Sequence, residues 1–163
     1  MSYLNLPNKE DLGEKEQKIF QTSIDKWGYV PNLVRAYALS PKIMAAEEQW
    51  TQGVMLTGFL PRVFKEAIAT VVSTTNDCQY CASSHSHAHT LSGAKMEDSA
   101  ACKMLDFSSF VKKERLVLEF TRKATANPKA ITQDDINKLK VHYSDSEIVE
   151  ITTVIQQYMG YNW

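Results

Sequence analysis

Apolar side chains recur at three- to four-residue spacing along nearly the whole chain, and no alternating strand pair interrupts them. That periodicity predicts an all-α fold, built as a bundle of short helices. The first helix is expected from about Lys15 to Trp27, with Ile19, Phe20 and Ile24 inward and Gly28-Tyr29-Val30-Pro31-Asn32 as the turn that ends it. Short helices follow from about Leu33 to Leu39 and, after the cap Ser40-Pro41, through Met44, Trp50 and Met55. Pro61 opens a helix reaching about Thr75, whose Phe64, Ala67, Ile68, Val71 and Val72 form a buried stripe.

Asn76-Asp77 breaks that helix and caps the next, expected from about Cys78 to Gly93. Further helices are expected over Lys95 to Leu105, over Lys112 to Ala126 with Leu116, Val117, Phe120 and Ala124 inward, and from the cap Thr132 to Leu139. Ser144 with Glu147 spells a capping box for the last helix, Glu147 to Trp163. That helix runs into the end of the sequence, which fits either a truncated helix or one that docks on a neighbouring subunit. Without repeats, low-complexity tracts or linkers, residues 1–163 read as a single domain of ordinary size.

The formal net charge of -1 comes from 18 basic and 19 acidic residues with no like-charged cluster. No nucleic-acid or anionic-membrane partner is therefore expected. Met1-Ser2-Tyr3-Leu4-Asn5-Leu6-Pro7 lacks the basic start and apolar core of a signal peptide, and no apolar run approaches a membrane span. The default expectation is cytoplasmic. Three cysteines, an odd number, do not make a disulfide framework. Cys102, in Ala100-Ala101-Cys102-Lys103-Met104-Leu105, reads as a buried structural thiol.

Cys78-Gln-Tyr-Cys81 followed by His85 carries the chemistry. At about 100° per residue the three positions fall within roughly 60° of a helix surface. Two thiols able to form a disulfide thus sit beside an imidazole able to move a proton. Cys78, expected in the first turn, would gain from the helix dipole, which favours a thiolate. A thiolate attacks peroxides and disulfides, and a second thiol resolves the product. Metal binding and inert helix cysteines stay open as alternatives to redox chemistry. A zinc site would use Cys78, Cys81, His85 and His89, but four ligands on one helix tie no separate segments together. Ala82, standing where a c-type haem motif needs histidine, excludes that cofactor.

His87 projects about 200° from His85, off the thiol face. His89 shares the face of His85 one turn further on and is an auxiliary candidate for orienting it. Glu66, four residues after Arg62, reads by itself as half of a solvated helix ion pair.

Lys65-Glu66, eleven further residues and Cys78-Gln-Tyr-Cys81-Ala-Ser-Ser-His85 resemble the signature of the alkylhydroperoxidase D-like branch of the carboxymuconolactone decarboxylase family. Gly28-Tyr29-Val30-Pro31-Asn32 with Ser40-Pro41 is similar to its peroxidase-related members, so the resemblance spans roughly residues 15 to 125. It implies an all-α fold and an antioxidant peroxidase that needs no cofactor. Cys81 would be the peroxidatic thiol and Cys78 its disulfide partner, the point of re-reduction. Glu66 and His85, through a water, would be the proton relay. A dihydrolipoyl-type dithiol would recycle the enzyme, within a homo-oligomer, often a trimer or hexamer. Helix position favours Cys78 as the more acidic thiol, whereas the relay favours Cys81. Tyr80 stands between the cysteines where the best-studied member of that family has histidine; it is a weaker proton carrier and an auxiliary candidate for positioning substrate. The CxxC pair argues against lactone decarboxylation. General protein or lipoamide disulfide reduction, and a non-enzymatic redox-sensing module, are the alternatives to peroxide turnover.

Overall fold

The computed structural model describes residues 4–162; Met1 to Tyr3 at the start and Trp163, the expected end of the last helix, lie outside them. Nine α-helices and two 3-10 turns make up the regular structure of the described residues, with no strand among them, so the fold is all-α. The helices are α1 Glu14–Trp27, α2 Asn32–Tyr37, α3 Pro41–Leu56, α4 Arg62–Thr75, α5 Gln79–Leu91, α6 Met96–Met104, α7 Lys112–Ala126, α8 Gln133–Lys140 and α9 Asp145–Tyr161. Gly28 ends α1 in the left-handed conformation, at φ 77°, which glycine adopts without a Cβ clash. Capping boxes at Thr132 and Ser144 open α8 and α9 where expected.

Two compact units divide the chain, residues 1–53 and 54–163. The first has a small core of Phe20, Ala38 and Met44, flanked by Leu12, Ile19, Val30, Val34 and Tyr37. Ile24, expected inward, is exposed instead. Its helix α1 has only a narrow apolar face, where Phe20 and Ser23 are the buried positions.

The second unit is organised around α4, which packs against α5, α6, α7 and α9. The expected stripe of Phe64, Ala67, Ile68, Val71 and Val72 is buried. With neighbours on so many sides, however, α4 is buried continuously from Phe64 to Ser73, polar residues included. Burying Lys65 and Glu66 requires partners, since an unpaired interior charge is prohibitive. Lys65, with 0% exposure, donates from Nζ to the carbonyls of Val54 (2.6 Å) and Thr57 (2.5 Å) and pairs with Glu150 of α9. Glu150 also accepts from the backbone N–H groups of Phe59 (2.8 Å) and Leu60 (3.3 Å). This knot holds the link that delivers the chain into α4, and therefore sets the height of Glu66.

Candidate active site

A three-residue link, Asn76-Asp77-Cys78, joins α4 to α5. The N–H of Cys78 donates to the carbonyl of Ser73 (2.9 Å) and that of Asp77 to Thr74 (3.1 Å), the paired bonds of a Schellman ending. Asp77 occupies the left-handed position, at φ 56°, where glycine is usual and Asp is among the tolerated residues. The turn stops α4 and starts α5 at once, and places Cys78 at the N-cap, with φ -83° and ψ 86°. Cys78 is therefore just outside the first turn, not inside it. Cys81 is the third residue of α5, within that turn.

The two sulfurs lie 2.7 Å apart, with both cysteines partly buried and reduced. Burial pushes the Cys81 thiol up to about 11, the hydrogen bond and charge of Cys78 add to the rise, and a hydrogen bond from Asn162 opposes it. Near neutral pH Cys81 is thus held as a thiol, and forming its thiolate would require a base. Cys102, 0% exposed on α6, has its thiol pushed up to about 12 by burial; it is the structural thiol expected.

Glu66 and His85 are joined directly. His85 Nδ1 lies 2.8 Å from Glu66 Oε2, and Arg62 Nε lies 3.3 Å from Oε1 of the same carboxylate. Glu66 is 3% exposed, so it is not the solvated partner of Arg62 that its spacing suggested. An ionised carboxylate only accepts hydrogen bonds, so His85 carries its proton on Nδ1 toward Glu66. That leaves Nε2 with a lone pair, as a base needs. Cys81 and His85 are one turn apart on the same face of α5.

The structure adds α9 residues that the sequence did not single out. Tyr158, buried to 4% exposure, sets its ring edge-on to His85 at a centroid distance of 4.3 Å. Burial raises its hydroxyl pKa well above the ordinary value, the Glu66 charge contributes next, and Cys81 is among the smaller causes. Asn162, at the end of α9, receives Asn76 Nδ2 on its Oδ1 (3.2 Å) and donates from Nδ2 to Ser73 Oγ (3.3 Å). No spacing rule links these residues to the cysteines. The apolar period of α9 marks Tyr158 only as a core residue.

His89 is buried, with Nδ1 3.0 Å from Ser99 Oγ of α6, and Ser99 Oγ in turn 3.0 Å from Thr90 Oγ1. Burial lowers its pKa, outweighing the opposing charges of Glu66 and Asp98. His87 is exposed, as its helical angle predicted. Tyr80 is 49% exposed at the start of α5. Among the described residues no three His, Cys, Asp or Glu side chains are grouped to hold a metal ion. A surface groove of about 700 Å³ along α7, lined by Phe107, Lys112, Arg115 and Arg122 among others, includes none of Glu66, Cys78, Cys81 and His85.

A family profile and several solved structures match the chain. The chain belongs to the carboxymuconolactone decarboxylase family, whose profile matches residues 34–123. Within it, the chain falls in the alkylhydroperoxidase D-like branch of peroxidase-related proteins. The crystal structure of an uncharacterized peroxidase-related protein from Silicibacter sp. TM1040 superposes with a TM-score of 0.90 at 28% identity, covering 98% of this chain and 85% of that one. An alkylhydroperoxidase AhpD core protein from Ralstonia eutropha JMP134 gives 0.87 at 21% identity, covering 97% and 84%. The apo debrominase Bmp8 gives 0.84 at 22% identity, covering 99% and 86%, and shares the fold. No curated protein sequence matches the chain significantly. No described helix is long and apolar enough to cross a membrane.

Proposed function

We propose that the chain is a thiol peroxidase that reduces hydrogen peroxide or small organic hydroperoxides through a Cys78–Cys81 dithiol–disulfide cycle. The observation that carries this reading is the hydrogen-bonded Glu66–His85 couple, with His85 on the helix that bears two sulfurs 2.7 Å apart. The Cys81 thiol, pushed up by burial, gives its proton to His85, while Glu66 stabilises the imidazolium that forms. The Cys81 thiolate attacks the terminal peroxide oxygen and the O–O bond breaks. The leaving alkoxide takes the proton from His85 and departs as alcohol, leaving Cys81 as sulfenic acid. Cys78 sulfur then attacks the Cys81 sulfur, water leaves, and the disulfide forms. A dithiol reductant restores both thiols by exchange, entering at Cys78.

With tyrosine between the cysteines, the relay consists of His85 and Glu66, and Tyr80 contacts incoming substrate or reductant. Recycling by a dihydrolipoyl-type dithiol, assembly as a homo-oligomer such as a trimer or hexamer, and a cytoplasmic setting belong to the same reading. The test is steady-state turnover of hydrogen peroxide and cumene hydroperoxide with a dithiol donor, for wild type, Cys81→Ser and Cys78→Ser. Lipoamide disulfide, insulin and a bromopyrrole serve as counter-substrates. Cys81→Ser is expected to lose turnover, and Cys78→Ser to stop after one peroxide per chain. Wild-type turnover in Cys81→Ser, or faster reaction with any counter-substrate, contradicts the assignment.

A further inference from the structure

His85 is fixed by more than its carboxylate partner. The hydrogen bond between Nδ1 and Glu66 Oε2 (2.8 Å) pins one atom of the imidazole. The ring can still pivot about that point, because the torsion that turns it is broad. On α9, the ring of Tyr158 closes that freedom: its centroid lies 4.3 Å from that of His85, at an interplanar angle of 72°. This is the T-shaped arrangement that aromatic rings prefer, the positive edge of one against the negative face of the other. Tyr158 is itself held. It is 4% exposed, and the ring of Tyr161 meets it at 5.7 Å and 89°, again T-shaped. The Tyr161 hydroxyl accepts from Gln157 Nε2 at 3.2 Å. Just beyond, Asn162 bonds Asn76 and Ser73 at the end of α4, so α9 is tied down where Tyr158 meets His85.

We propose that Tyr158 is a positioning residue, whose ring packs on the His85 imidazole and holds it in the one orientation that keeps Nδ1–H on Glu66 and Nε2 free. The proposal deepens the peroxidase reading and rests on it for any effect on turnover, whereas the hold on the ring can be tested without peroxide. Glu66 decides which nitrogen carries the proton, and Tyr158 keeps the ring in place for that choice. Cys81 lies one turn before His85 on the same face of α5, so a displaced ring takes the base away from the thiol. The ring is the working part of Tyr158 and the hydroxyl is not, because the contact is between the two rings. Phenylalanine would therefore preserve it. A T-shaped aromatic pair favours its arrangement by roughly 2- to 12-fold, which bounds what losing the contact can cost.

The experiment records the imidazole nitrogen signals of nitrogen-15 histidine-labelled protein by NMR at about pH 8, above the ordinary histidine range. The His85 signals are assigned by their absence in His85→Gln. Wild type is expected to show a single tautomer, protonated on Nδ1. Tyr158→Leu, which removes the ring, is expected to show both tautomers of His85 and to slow the first reaction with one equivalent of peroxide by roughly 2- to 12-fold. Tyr158→Phe should restore the single tautomer and the wild-type rate. Should Tyr158→Leu fail to fold, as judged by circular dichroism, Tyr158→Met is read in its place. Should that fail too, Tyr161→Leu, which frees the far side of the Tyr158 ring, decides the matter. A single Nδ1–H tautomer in the folded variant that is read overturns the proposal, and so does a Tyr158→Phe that behaves like the leucine variant. Peroxide turnover separates the two readings. Mixed tautomers in Tyr158→Leu, from a chain whose wild type turns over no peroxide, sustain the ring contact and remove the peroxidase.

Discussion

Replacing Glu66 by glutamine keeps the size and shape of the side chain and removes its charge. Glu66 is 3% exposed and meets His85 at 2.8 Å and Arg62 at 3.3 Å, so water cannot replace what is lost. A hydrogen bond to a charged group contributes about 1.5–3 kcal/mol. The imidazolium that receives the Cys81 proton loses that stabilisation in Glu66→Gln. At about 1.4 kcal/mol per tenfold, kcat/KM for peroxide should fall roughly 10- to 150-fold. The amide can also turn its NH2 toward Nδ1, forcing the His85 proton onto Nε2 and removing the base altogether. The assay is stopped-flow reduction of one equivalent of peroxide, followed by loss of free thiol. Because the two residues act as a unit, Glu66→Gln in a His85→Gln background should add little. A Glu66→Gln rate within twofold of wild type, or a defect confined to KM, would refute the relay.

Three further outcomes follow from the surroundings of the site. Lys65→Met leaves Glu150 and the carbonyls of Val54 and Thr57 without their shared donor, and breaking such a buried pair costs about 3–5 kcal/mol. At about 2–4 °C per kcal/mol for a chain of this size, Tm should drop by roughly 6–20 °C in a calorimetric scan, and a drop under 3 °C would show the knot to be unimportant. Because burial of Cys102 pushes its thiol up to about 12, native protein should expose only Cys78 and Cys81 to iodoacetamide, with Cys102 alkylated only after denaturation. His89 has a folded pKa below its unfolded value near 6.5, so the unfolded chain binds the extra proton as pH falls through about 6.5. Stability is therefore full above that pH and declines below it. In urea titrations the decline between pH 6.5 and 5 should be shallower for His89→Gln, and an identical slope would place the acid sensitivity elsewhere.

The sequence showed most clearly what repeats along one helix. The stripe on α4, the limits of α7 and the boxes opening α8 and α9 are local patterns, and the structure follows them. The same local view misjudged Glu66, because Arg62 four residues earlier suggests a solvated pair. Its true environment depends on α5 and α9, and only packing reveals that α4 is buried nearly all round. Cys78 was placed one position too far into its helix because the turn is made by Asp77 in a left-handed conformation, with no glycine to mark it. Tyr158 and Asn162 were invisible for a related reason: an aromatic on a helix stripe and an asparagine after a helix end look like core and cap. Their meaning comes from the tertiary contact that brings α9 against α4.

The central claim is that Cys78 and Cys81 form one two-electron couple serving peroxide. Thiols should be titrated under denaturing conditions after reaction with one equivalent of hydrogen peroxide, and the peptides mapped by mass. The account predicts that three free thiols become one, with Cys78 linked to Cys81 in the same chain and Cys102 still reduced. Retention of all three, or a stable sulfenic acid on either cysteine with no 78–81 crosslink, would contradict it.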